Sequence, residues 1–156
     1  MRNKERIDLF LNLIDVKKVL DIYFKKDTSI SEEIKQTHTQ KILEKYEEIR
    51  KYWKLHSDLR FSQVLVNMKV IPNYEGFWYY WEEEEILLKL GIEPREFLFW
   101  GRNYDKDMNQ LPKTEYLLIK NMKTDHIKAI LDGKWCTFGI YYDTFIKELE
   151  LRNNNT

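Results

Sequence analysis

An apolar face that repeats at helical spacing across residues 30–56 constrains this chain more strongly than any other feature. Its members are four, four, four, three and four residues apart, namely Ile34, His38, Ile42, Tyr46, Ile49 and Trp53. This spacing follows the period of an α-helix and predicts one helix about 40 Å long, at ~1.5 Å per residue. Ser29, with Glu32 three residues later, predicts a capping box at its start. Such a helix either extends beyond a small domain and invites a partner, or pairs with the N-terminal segment as a hairpin.

The N-terminal segment predicts two helices with a break near Asp15. If the apolar face of residues 7–14 continued along one helix, it would bury Lys17 and Lys18. Asp15 can cap a second helix at this point. The second helix would bury its own face, made of Val16, Val19, Leu20 and Tyr23.

Shorter elements are predicted after residue 56. The apolar, β-leaning run over residues 114–122 predicts a strand. Gly91 favours the end of one short helix, because glycine is preferred just past a helix C-terminus. Amphipathic patterns indicate short helices near residues 61–68, 82–90, 124–133 and 141–153.

The predicted fold is a predominantly helical α+β domain. Only five Gly and three Pro occur among 156 residues, which argues against a turn-dense sandwich or barrel. We expect a helical N-terminal half with a small β element near residues 114–122. The chain should form a single domain, with an N-terminal helical hairpin over residues 1–56, an α+β module over 57–152 and a frayed tail over 153–156.

Charge and cysteine content bear on which partners the protein binds and in which compartment it is expected. Twenty-six basic residues balance 26 acidic ones, so the sequence gives no strong signal for nucleic-acid binding. The single cysteine, Cys136, excludes an internal disulfide and suits a reducing cytoplasm. No apolar stretch predicts a membrane span or a signal peptide. We therefore expect a soluble cytoplasmic protein of uncertain oligomeric state.

No recognisable catalytic or metal-binding pattern is present. The histidines and the cysteine lack the local spacing of zinc ligands, and no Walker A, G-x-S-x-G or dinucleotide-binding motif occurs. The sequence favours a protein that is not an enzyme and has no cofactor, no catalytic residues and no bound metal. A small metal-dependent hydrolase is the least favoured alternative, and it would use Glu82, Glu85, Asp125 and His126.

The most unusual stretch places five consecutive aromatic residues, 77–81, directly before four glutamates, 82–85. A regular helix or strand would turn about half of these rings outward, where Trp and Tyr favour binding to a partner. Alternatively, an irregular loop buries the rings, and the glutamates stabilise the positive end of a helix dipole. The candidate binding residues are Tyr74, Phe77, Trp78, Tyr79, Tyr80, Trp81, Glu82, Glu83, Arg102 and Tyr104.

Two modules resemble parts of small uncharacterised phage and prophage proteins of low-GC bacteria. One is "DLRFSQVLVNM" with "EEEEILLKLG", and the other is "LLIKNMKTDHIKAIL". The likeness covers about residues 53–152 and leaves the first 50 unmatched. It implies a phage accessory protein that binds a host protein complex in the host cytoplasm. Such a protein would antagonise a bacterial defence component, as an anti-CRISPR-like inhibitor does, through a protein–protein interface.

A second function class is compatible with the same aromatic residues. Trp78, Trp81 or Trp100 could stack on a nucleobase while Arg102 binds phosphate. The protein would then bind or sequester a signalling nucleotide.

Overall fold

The chain divides into two compact units, Met1–Ile92 and Glu93–Thr156. The computed structural model describes residues 4–24, 30–74 and 82–155. The sequence predicted a change of organisation after residue 56, but residues 57–92 belong to the first unit. The reason is that the two short helices in this segment bury their apolar sides among the N-terminal helices.

The first unit contains six helices in its described residues: α1 (Lys4–Leu13), α2 (Val16–Tyr23), α3 (Glu32–Glu44), α4 (Tyr46–Leu55), α5 (Phe61–Asn67) and α6 (Glu83–Lys89). Helix α1 packs on α4 and α2 on α3, as in a helical hairpin. Trp53 is fully buried at the centre, with its ring 5.5 Å from Phe10 and 5.4 Å from Phe61. Its indole N–H donates to the carbonyl of Leu59 at 2.8 Å, so the buried polar atom is satisfied.

The predicted break at Asp15 is confirmed. Asp15 is the N-cap of α2, and its carboxylate accepts a hydrogen bond from the backbone N–H of Lys18 at 3.3 Å. The end of α6 is also as predicted, because Gly91 follows it with a φ of 79°. Both helix boundaries were predicted from the capping preferences of Asp15 and Gly91 alone.

The single long helix predicted over residues 30–56 is wrong, because α3 ends at Glu44 and α4 begins at Tyr46. Helix α3 packs on α2, whereas α4 packs on α1. Because α1 and α2 are separated at Asp15, the helices that pack on them are separated as well. The hydroxyl of Tyr46 donates to the carbonyl of Leu11, which fixes the start of α4 against the end of α1.

The start of α3 and one member of its apolar face also differ from expectation. Ser31 caps α3 by accepting from the N–H of Ile34 at 3.2 Å, whereas the predicted cap, Ser29, lies outside the described residues. Ile34 is exposed, while Ile42 is buried. The predicted face therefore becomes a core face only from the second half of α3.

The second unit contains an antiparallel hairpin, β1 (Phe99–Tyr104) and β2 (Gln110–Leu118), followed by α7 (Thr124–Asp132) and α8 (Gly139–Asn154). Phe99 pairs with Leu118 and Arg102 with Glu115, and a register shift follows Arg102. The predicted β element is correct over residues 114–118, but Ile119–Asn121 form a 3₁₀ turn. Another 3₁₀ turn, Pro94–Glu96, precedes the hairpin.

Helix α8 packs against the start of β1. Trp100 makes edge-on contacts with Tyr141 and with the buried Phe145, at centroid distances of 5.8 and 5.2 Å. The helix continues to Asn154, so residues 153 and 154 do not belong to the predicted frayed tail.

The architecture is the predicted one, a predominantly helical α+β fold with a small two-stranded antiparallel sheet. Among the described residues, no helix combines the length and the apolar run that crossing a bilayer requires.

Candidate interaction surface

The predicted binding residues are divided between the two units. Phe77, Trp78, Tyr79, Tyr80 and Trp81 lie outside the described residues. Tyr74, Glu82 and Glu83 belong to the first unit. Arg102 and Tyr104 belong to the second.

Tyr74 attaches the end of its loop to α3. Its hydroxyl lies 3.0 Å from Nε2 of His38, and its ring packs edge-on against Phe24 at 5.4 Å. Burial, and secondarily the charge of Lys41, lowers the pKa of His38. A neutral His38 beside the Tyr74 hydroxyl makes this a structural contact that anchors residues 68–74.

Glu82 and Glu83 lie at the start of α6. The carboxylate of Glu82 accepts a hydrogen bond from Nε of Arg60 at 2.8 Å, and its backbone N–H donates to Oε1 of Glu85 at 3.4 Å. Glu83 is buried. Carboxylate oxygens of Glu82, Glu83 and Glu84 lie within 4.8 Å of one another, a spacing compatible with a cation. The ion pair with Arg60 stabilises the charge of Glu82, and the positive end of the helix dipole favours all three carboxylates.

Arg102 and Tyr104 lie on β1. Arg102 donates from Nε and Nη2 to one carboxylate oxygen of Glu115, at 3.0 and 2.7 Å. The pKa of His126 in α7 is lowered by burial and by the positive charge of Arg102. The Tyr104 side chain is exposed. Arg102 is therefore engaged in a cross-strand ion pair, and Tyr104 is open to a partner.

The most exposed aromatic side chains in the described residues lie outside the predicted binding residues. Trp135 is 79% exposed and Phe138 is 85% exposed. Both belong to residues 133–138, which join α7 to α8 and are named the aromatic loop here. Large aromatic side chains usually bury most of their surface, so the exposure of two of them in one short loop is unusual.

The backbone of the aromatic loop is fixed by the end of α7. The N–H of Lys134 donates to the carbonyl of Leu131 at 3.1 Å, and the N–H of Trp135 donates to that of Ile130 at 3.1 Å. These two bonds form a Schellman motif, with Lys134 in the left-handed conformation at a φ of 57°. Trp135 is therefore held at its backbone although its side chain is in solvent.

The glycine before Lys134 makes room for the indole ring. A Cβ built on Gly133 would lie 2.6 Å from both Cδ1 and Nε1 of Trp135, closer than any side chain tolerates. Only glycine allows the ring to lie in this place. The backbone of Trp135 is thus held by the end of α7, and its exposed ring lies over Gly133.

Cys136 lies within the aromatic loop and is partly exposed. Burial raises the pKa of its thiol, and this effect is larger than the lowering by the hydrogen bond to the Phe138 carbonyl. A thiol in this state is a poor nucleophile, so its environment favours a packing role.

The residues predicted for nucleotide binding and for a metal-dependent hydrolase lie in both units. Trp100, a candidate for nucleobase stacking, is half-buried against α8. Of the proposed hydrolase residues, Glu82 and Glu85 lie in the first unit and Asp125 and His126 in the second. Trp78 and Trp81, the other candidates for nucleobase stacking, lie outside the described residues.

Comparison with known proteins found no matching family model, curated protein or solved structure. The sequence signal for the aromatic loop is the pair of glycines that bound it. Trp135 and Phe138 stand between Gly133 and Gly139, where no helical face can bury them.

Proposed function

We propose that this protein acts by binding another protein through the aromatic loop. The observation that carries the proposal is the combination of exposure and fixed position at Trp135. The ring is 79% exposed, yet its backbone closes α7 and its indole lies against Gly133. An exposed aromatic side chain on a fixed backbone supplies a large apolar area with few rotatable bonds to order on binding, as interface hot spots do.

Phe138 extends this surface at the start of α8. Its backbone is extended, with φ −160° and ψ 170°, and its ring is 85% exposed. Truncation of a hot-spot residue typically costs about 2 kcal/mol, or about 30-fold in Kd. Trp135 and Phe138 are therefore the residues of the aromatic loop whose truncation should weaken binding most.

The proposed partner is a component of a bacterial defence system in the host cytoplasm. Support comes from the resemblance of two modules to small phage and prophage proteins. Further support comes from the balanced charge, which favours a protein partner over nucleic acid. In this proposal the protein is an antagonist that occupies a surface of the defence complex, in the manner of an anti-CRISPR inhibitor.

The test is a plating assay in a low-GC bacterium with an active CRISPR–Cas system and a spacer against the infecting phage. Expression of the wild-type protein should restore plaque formation. The double variant Trp135→Ser, Phe138→Ser should restore it at least tenfold less well. Co-purification of the protein with the effector complex should follow the same order.

The matched control is Leu55→Ser in the first unit, because Leu55 is 81% exposed and its loss also removes a large apolar side chain from the surface. This variant should restore plating as the wild type does. All three proteins should give the same circular dichroism spectrum and melting temperature. Failure of the wild type to restore plating would remove the CRISPR-directed proposal, whereas equal restoration by the double variant would remove the aromatic loop as the interface.

A further inference from the structure

We draw no further inference here: the strongest candidate, the hairpin turn in which Asp105, Asp107 and Asn109 alternate as in a cation-binding loop, directs the Asp105 carboxylate to the backbone N–H groups of Asp107 and Asn109, and no second observation points to a ligand there.

Discussion

The indole of Trp135 lies against Gly133 so closely that a Cβ on the glycine would be 2.6 Å from Nε1 of the ring. The backbone of Gly133 does not itself require glycine, because its φ of −77° is helical. The left-handed position of the turn is taken by Lys134 instead. Glycine at 133 is therefore explained by the ring beside it.

Gly133→Ala should displace the Trp135 ring without unfolding the protein. Alanine is favoured over glycine by about 0.5–1 kcal/mol inside a helix and by less at a C-cap with helical φ, and the exposed ring is free to move away. The free energy of unfolding should stay constant or rise, while the indole N–H resonance of Trp135 shifts in NMR spectra. Plating activity should fall toward that of the Trp135→Ser, Phe138→Ser variant. An unchanged indole resonance would contradict the proposed contact.

Lys69→Gly should stabilise the first unit. The turn after α5 has the same Schellman geometry, with Lys69 bonded to Val66 and Val70 to Leu65, and Lys69 adopts a φ of 59°. A left-handed residue with a Cβ is strained, and glycine relieves that strain. Relief of about 1–2 kcal/mol of strain exceeds the entropic cost of glycine, about 0.5–1 kcal/mol, so the free energy of unfolding measured by urea denaturation should rise by about 0.5–1 kcal/mol. Lys69→Ala keeps the Cβ and should give no gain.

Local chemistry explains the parts of the fold that could be predicted from the sequence. The cap at Asp15 and the end of α6 at Gly91 depend on residues within a few positions of each other. The interruption at Lys45 could not be predicted in this way, because it depends on how α3 and α4 pack on two separate helices.

The burial of Glu148 and the exposure of Trp135 could not be predicted from the sequence, because each depends on tertiary structure. Glu148 stands on a helix among other charged residues, and its burial depends on Arg95, which is 53 residues away in the sequence. Trp135 is aromatic, and composition alone predicts that such a residue is buried. The exposure of Trp135 depends on the geometry of the turn after α7, which the spacing of apolar residues in the sequence does not predict.

Removal of the Arg102 charge should raise the pKa of His126. Burial lowers this pKa first and the nearby guanidinium lowers it further, so that the neutral imidazole is favoured at neutral pH. In Arg102→Gln, the histidine should titrate at a higher pH than in the wild type, as followed by the imidazole proton resonances. Glu115→Gln removes the ion-pair partner but keeps Arg102, and it should not raise the pKa. A rise in both variants would assign the effect to a general loosening of the hairpin.

Glu148→Gln should destabilise the second unit. Glu148 is 1% exposed and accepts hydrogen bonds from Arg95 at 2.5 and 3.0 Å and from Arg152 at 2.9 Å. Arg152 also donates to the hydroxyl of Thr124, so the carboxylate connects α8 to the start of α7. Hydrogen bonds to charged groups contribute about 1.5–3 kcal/mol, and the loss should be of this size by urea denaturation at pH 7. Glu150→Gln, an exposed change on the same helix, should have little effect.

The free-energy difference between the wild type and Glu148→Gln should depend on pH. Hydrogen bonding from Arg95, and then from Arg152, holds the pKa of Glu148 below its ordinary value of 4.5. Between the lowered and the ordinary pKa the unfolded chain binds more protons than the folded one, so the contribution of Glu148 is complete above pH 4.5 and declines as the pH falls through the folded pKa. The difference in unfolding free energy between wild type and Glu148→Gln should therefore be constant from pH 7 to about pH 5 and shrink in more acidic solution. If this difference in unfolding free energy stayed constant down to the pH at which the protein unfolds, the stabilisation by Glu148 would come from packing and not from its negative charge.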